Sequence, residues 1–314
     1  MTTNEKGFVP VMLTPFKENG AVDFDGLADL TEFYLNAGAK GLFANCQSSE
    51  MFDLTPDERI QVITQVIKTA DGRVPVVAAG NFGDTIQQQA RFIKTVYDTG
   101  VQAVIVLTSL LADKEETDAV LEQRITELLS LTGNVPLGFY ECPVPYKRVL
   151  TPALLAKFVD TGRVIYHKDT CLDIEQVREK NRLCAGMSSF GLYDAYMVHA
   201  VESLRSGSAG LSCIQGNYFP ELVVWLCNNY NNPGMEKEVA LVQQFFTAEM
   251  DVMHKNYPES AKYYLQQRGL PVSTYTRKSG TCEISGQVKD EMQQLKLRYA
   301  GILERVPGIF QKVW

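Results

Sequence analysis

The chain has 314 residues, 45% hydrophobic and 21% charged, which is the composition of a globular protein with a large core and excludes a disordered or fibrous one. Its formal net charge of -7 leaves no broad basic surface for phosphate backbones, so no nucleic-acid partner is expected. No apolar run approaches the roughly 18–20 residues of a membrane span, and the polar start is unlike a signal core, so the expected location is the cytoplasm, without membrane contact.

Short β-rich apolar runs alternate with segments of helical periodicity, the pattern of parallel βα units. The runs are 8–13, 41–45, 74–79, 103–108, 136–140, 164–168, 183–187 and 209–213. Eight such units predict a closed (β/α)8 barrel, a TIM barrel, over residues 1–230. Between the first two runs, Asp23 precedes a one-sided stripe of Phe24, Leu27, Leu30, Phe33 and Tyr34, and Gly38 stops it. Thr55-Pro56-Asp57-Glu58 predicts a helix start with a capping box, and Thr151-Pro152 repeats the cap and proline. A polar cluster, Asn228 to Gly234, then marks a linker or sharp loop. Beyond it the spacing predicts helices over 236–254, 259–268 and 285–305, a C-terminal helical extension spanning residues 231–314.

A barrel of this kind builds its active site at the carboxyl ends of its strands. Lys168 ends the sixth run there. In a confined, partly apolar mouth, burial disfavours the ammonium, and the free amine can attack a carbonyl to form an iminium that acts as an electron sink. The alternative is an ordinary ion pair with Asp169. Tyr140 ends the fifth run, where its phenol either relays protons or packs as a plain aromatic. Gln47, Ser48 and Ser49 offer amide, hydroxyl and backbone donors suited to a carboxylate, and equally form a simple polar loop.

Other chemistries lack a signature. Gly80-Asn81-Phe82-Gly83 has no GKS or GKT ending, and His167, His199 and His254 form neither HxH nor HExxH. The seven cysteines contain no CxxC pair, which fits reduced thiols rather than a disulfide framework. Cys46, Cys142, Cys171 and Cys213 fall near the predicted mouth without ligand spacing, so no metal site is expected.

These residues together resemble the N-acetylneuraminate lyase and dihydrodipicolinate synthase family of Schiff-base, class I aldolases. The likeness rests on Thr14-Pro15-Phe16, Asp23-Phe24-Asp25-Gly26-Leu27, Ser49-Glu50, Leu54-Thr55-Pro56-Asp57-Glu58-Arg59, Val74 to Gly80, Tyr140-Glu141-Cys142-Pro143 and Lys168-Asp169, in that order. The resemblance implies a lyase in which Lys168 forms a Schiff base with pyruvate or another 2-oxo acid and Tyr140 handles protons. It also implies that Ser48, with Gln47, holds the carboxylate, with Thr170 and Leu211 at further pocket positions. It implies no metal or organic cofactor, an aldehyde as second substrate, and a homo-oligomer, a tetramer built as a pair of dimers or a dimer.

The departures bear on substrate. Cys46-Gln47-Ser48-Ser49-Glu50 stands where the family commonly writes GTTGE or GSTGE, so both glycines are replaced. Thr108-Ser109-Leu110-Leu111 stands in place of TPYY, removing a phenol used across a dimer contact, and the arginine expected after the YNVP motif is replaced by Val144-Pro145-Tyr146. These losses argue against a true dihydrodipicolinate synthase, because an acidic aldehyde would lack its cationic clamp. Two alternatives remain: a dehydratase of 3-deoxy-2-oxo sugar acids using the same iminium, and a non-catalytic 2-oxo acid binding protein.

Overall fold

The computed structural model describes residues 5–187 and 189–309. Eight parallel strands run in the order β1-β8-β7-β6-β5-β4-β3-β2. They are β1 (Gly7–Phe8), β2 (Leu42–Ala44), β3 (Val76–Ala79), β4 (Ala103–Leu107), β5 (Leu137–Tyr140), β6 (Val164–Asp169), β7 (Gly191–Asp194) and β8 (Gly210–Leu211). A parallel bridge between Val11 and Phe43 joins the remaining edges, with Phe43 N donating to the Pro10 carbonyl at 3.0 Å, so the sheet closes into a (β/α)8 barrel.

Helices α1 (Phe24–Asn36), α2 (Pro56–Ala70), α3 (Ile86–Tyr97), α4 (Asp118–Leu131), α5 (Pro152–Val159), α6 (Ile174–Leu183), α7 (Ala200–Arg205) and α8 (Pro220–Asn229) follow the strands in turn. Their starts are chemically specified: Asp23 accepts from Gly26 N, the Thr55 and Glu58 side chains reciprocate as a capping box, and Thr151 accepts from Leu154 N. Four more helices form the C-terminal extension: α9 (Glu236–Ala248), α10 (Met250–His254), α11 (Glu259–Gln267) and α12 (Gly286–Leu303).

Two elements differ from the sequence expectation. Residues 183–187 are not the seventh strand: Leu183 ends α6, and the strand begins at Gly191. The short apolar run there belongs to a helix end and turn, and periodicity cannot separate such a run from a buried strand. Ser188, read with it as a strand-end residue, lies outside the described residues. The helix expected over 236–254 is broken at Glu249, whose backbone leaves helical geometry while its carboxylate pairs with Arg298 of α12.

Along each strand alternate side chains face the barrel interior and the helices. On β4, Ala103, Ile105 and Leu107 join the inner cluster, whereas Val104 and Val106 pack beneath the helices. Full burial on both faces explains why these strands read as continuous apolar runs. Gly210 is required where β8 meets β1, because a Cβ there would lie 1.7 Å from the Gly7 carbonyl oxygen.

The extension is fastened to the barrel by buried charge. Lys262 of α11 donates to Glu50 Oε1 at 2.7 Å and to the Tyr275 carbonyl at 2.8 Å, while Arg277 N donates to Glu50 Oε2 at 2.7 Å. Among the described residues no helix is long and apolar enough to cross a membrane.

Candidate active site

A bulge decides which way Lys168 points. Between β5 and β6 the register shifts at Leu137/Gly138, so that Leu137 faces Val164, Gly138 faces Tyr166, and Ile165 is the extra residue. Beyond the bulge the alternation runs Tyr166 inward, His167 outward, Lys168 inward and Asp169 outward, and Lys168 pairs directly with Tyr140. Lys168 Nζ lies 4.1 Å from the centroid of the Tyr140 ring and 5.9 Å from that of Phe43.

No carboxylate of the described residues lies within ion-pair distance of this ammonium position, so the ordinary pair with Asp169 does not form; Asp169 pairs with Lys180 instead. Burial lowers the Lys168 pKa from its ordinary value, opposed by the Cys46, Cys142 and Cys213 thiols. The same burial drives the Tyr140 phenol well above its usual range, with the Cys142 and Cys46 thiols adding to it. The site therefore holds a lysine whose burial shifts its balance from ammonium toward amine, beside a phenol that keeps its proton.

The loop after β2 brings the second set of groups. Gln47 Oε1 accepts from Tyr140 Oη at 3.5 Å and from Cys142 Sγ at 3.4 Å. The replaced glycines are accommodated because Cys46 is extended, at φ -116°, and Ser49 is helical, its hydroxyl donating to the Met12 carbonyl at 2.6 Å. Left-handed backbone falls instead on Asn45 and Glu50, and the strain at Glu50 is offset by its contacts with Lys262 and Arg277. Ser48, next to Gln47, is buried, and the Tyr257 hydroxyl, between α10 and α11, accepts from Asn217 Nδ2 at 2.5 Å.

Behind Lys168 and Tyr140, on the outward face of the same strands, lies a closed ionic cluster. Lys180 of α6 donates to Glu141 Oε1 at 2.7 Å and Asp169 Oδ2 at 2.6 Å, and His167 Nε2 stands 3.4 Å from each of these oxygens. Leu150 N and Thr170 N also donate to Glu141, and Cys171 N to Asp169. Burial opposes every charge here. The neighbouring charges outweigh it: Lys180 is held above its ordinary pKa, His167 is raised, and Asp169 is held well below the usual carboxylate range. Glu141, His167 and Asp169 are spaced as three ligands of a cation could be, but the position between the two carboxylates is filled by the Lys180 ammonium.

The structure thus brings together Lys168, Tyr140 and Gln47, with Ser48 buried next to Gln47 in the loop after β2. Thr170 adjoins them, but its hydroxyl donates to the Glu141 carbonyl at 2.6 Å and so braces β5 against β6. Leu211 is not among them: it packs in the layer between sheet and helices, and Ser212 takes the inward position, meeting the Tyr166 hydroxyl at 3.4 Å. Burial pushes Cys142 up to about 11 and Cys213 up to about 12, the state of protonated packing thiols. Phe43, Tyr166 and Tyr257 were not singled out from sequence. The two-residue period from Lys168 back to Tyr166 points to one of them, whereas no local pattern points to Tyr257.

Comparison with known proteins agrees with this fold. The family model described as the Dihydrodipicolinate synthetase family matches residues 4–296. The 4-hydroxy-tetrahydrodipicolinate synthase of Shewanella baltica (strain OS155 / ATCC BAA-1091) is 25% identical over 222 residues, 71% of this chain and 74% of its own. Among solved structures, a monomeric dihydrodipicolinate synthase variant superposes with a TM-score of 0.84 at 20% identity, covering 96% of this chain and 98% of that one. YagE, a prophage protein of E. coli K12 in the dihydrodipicolinic acid synthase family, solved in complex with pyruvate, gives 0.79 at 22% identity over 95% and 98%. The chain belongs to the dihydrodipicolinate synthetase family.

Proposed function

We propose that this protein is a pyruvate-dependent Schiff-base lyase that cleaves or forms a carbon–carbon bond of a 2-oxo acid. The observation that carries the reading is the buried Lys168 amine, without a carboxylate partner, 4.1 Å from the Tyr140 ring centroid at the carboxyl end of the barrel. The neutral amine attacks the 2-oxo carbon, and loss of water leaves an iminium on Lys168. In the cleavage direction the hydroxyl on the bond to be broken gives its proton to a base, and the bonding pair flows into the iminium as an aldehyde departs. The resulting enamine takes a proton at carbon, and water hydrolyses the imine to free pyruvate and the amine. Tyr140 is the group placed to carry the proton between the two fragments.

Gln47 and Ser48 are the proposed carboxylate contacts, Thr170 braces the strand ends that hold them, and Leu211 contributes only through packing. No cofactor is needed, because the amine itself is the electron sink. An acidic aldehyde is disfavoured by what the two cations that follow Tyr140 in the chain do. Arg148 donates to the carbonyls of Asp113 and Glu116 and to Asp118, and Lys147 donates to the Thr170 carbonyl at 2.8 Å, so neither is free as a clamp. Leu110 instead packs against the inner apolar cluster, which favours a less polar acceptor than that of lysine-pathway synthesis. Exposed Phe52, Val144 and Leu172 suit burial between copies in a dimer or tetramer.

The test is borohydride trapping with pyruvate, followed by intact-mass and peptide mass spectrometry. A reduced pyruvyl adduct on Lys168, absent from Lys168→Ala, is the expected result. No adduct in the folded wild-type protein, beside a working control enzyme, overturns the proposal.

A further inference from the structure

The turn Gln47–Ser49 after β2 is fixed to its surroundings. Glu50 N donates to the Gln47 carbonyl at 3.0 Å, the Ser49 hydroxyl donates to the Met12 carbonyl, and Glu50 is anchored by Lys262 and Arg277. The Gln47 side chain is fixed as well. Its Oε1 meets two protons, that of Tyr140 Oη at 3.5 Å and that of Cys142 Sγ at 3.4 Å. An amide oxygen has two lone pairs and takes both, whereas an amide nitrogen in that place would accept neither, so the two donors set which way the amide faces. The nitrogen makes no hydrogen bond to the described residues, and Gln47 is only half-buried, so the two protons on it are open to the mouth.

We infer that Gln47 is a two-ended positioning residue: its amide oxygen orients the Tyr140 phenol for proton transfer, and its amide nitrogen is thereby aimed at the carboxylate of the substrate. An amide oxygen accepts a hydrogen bond without taking up the proton, so this end orients the phenol and carries no proton itself. Cys142 fills the second lone pair and resists rotation of the group. A carboxamide is planar for the same reason as a peptide bond, so a carboxylate drawn to the nitrogen also sets the oxygen that holds the phenol. Seating of the acid and placement of the proton carrier become one event. This rests on the reading of the mouth as a 2-oxo acid site.

The experiment uses Gln47→Met, which keeps the length of the side chain and removes both polar ends. For the nitrogen, borohydride trapping on Lys168 is compared between pyruvate and acetone, a ketone with no carboxylate. The concentration of pyruvate giving half-maximal trapping rises about tenfold, the loss of one charge-assisted hydrogen bond, while that of acetone stays constant. For the oxygen, exchange of the pyruvate methyl protons in D2O is followed at saturating pyruvate: the iminium gives up a carbon proton to form the enamine, which takes back a deuteron at the same carbon. That rate falls about tenfold in Gln47→Met, falls in Tyr140→Phe, and is no lower in the double variant than in Tyr140→Phe. Equal shifts for both ketones, or no shift, overturn the inference, because a residue that merely supports the fold affects both alike. An unchanged exchange rate, or additive losses in the double variant, overturns it too. If Gln47→Met loses the native circular dichroism spectrum, Gln47→Asn, which withdraws the amide by one methylene, is judged by the same two readings. Failure of the wild type to trap pyruvate removes the Schiff-base reading together with this one. Trapping by the wild type without methyl exchange, or without either effect of the Gln47 variant, removes this one alone.

Discussion

Replacing Lys180 by methionine removes the ammonium that lies between the buried carboxylates of Glu141 and Asp169 while keeping the length of the side chain. At an effective dielectric constant of about 20 and roughly 4 Å between charge centres, each contact is worth about 4 kcal/mol, and stripping the ammonium of water offsets much of the sum. Removing one member of a buried ionic set costs about 3–5 kcal/mol, and with two carboxylates left facing each other the upper end applies. The pH dependence is diagnostic. In the wild type, Asp169 is held below its ordinary pKa, so its contribution is present above about pH 4 and lost as pH falls further. His167 is raised, so its contribution is complete below about pH 6.5 and fades as pH climbs through its folded pKa.

In Lys180→Met the sign for one carboxyl reverses. It is raised by its neighbour and by burial, and its penalty grows as pH rises from about 4 toward the new pKa. Urea unfolding followed by circular dichroism from pH 5 to pH 8 should show the gap between wild type and variant widest at pH 8 and narrowing toward pH 5. Adding Glu141→Gln should recover more than half of the loss at pH 8. A gap below about 1 kcal/mol, or one that widens on acidification, would refute the cluster as described.

Other consequences are as direct. Tyr140→Phe should still trap pyruvate on Lys168 while turnover falls about 10²–10⁴-fold, because imine formation and proton transfer are separate duties; equal loss of both would deny the phenol its role. Because burial lowers the Lys168 pKa, the rate of cyanoborohydride trapping should rise with pH and level off below 10.5, and a rise continuing past that value would contradict the burial effect. Glu50→Ala strands the buried Lys262 without its carboxylate and should cost about 3 kcal/mol, with faster limited proteolysis between α11 and α12 as the readout. Gly210→Ala drives a methyl to 1.7 Å from the Gly7 carbonyl and should prevent soluble folding, scored by soluble yield.

The barrel was legible because its determinants are local. Each βα unit carries its own apolar run, cap and turn, and Thr55 with Glu58 specifies a helix start from four adjacent residues. Lys168 and Tyr140 were legible for the same reason: a polar residue ending an apolar run at a strand terminus is visible along the chain, and the family motifs cover both. The seventh strand was misplaced because residues 183–187 and 191–194 are both short, and only pairing with Tyr166, His167 and Lys168 selects the second.

What tertiary structure alone decided is which of these residues meet and in what ionisation state. The bulge at Ile165 sets the face of every residue after it, and a one-residue slip would have put Lys168 among the helices and His167 in the mouth. Lys180, an unremarkable helical lysine in sequence, becomes the counter-ion of Glu141 and Asp169 and so leaves Lys168 unpaired. Lys262 reaches Glu50 from more than half the chain away. Sequence periodicity encodes which side of an element is apolar, but partnership across such distances depends on closure of the barrel and docking of the extension through Glu50, Lys262 and Arg277. Those events remove water from the site, and that loss of water makes Lys168 a candidate nucleophile rather than an ordinary cation.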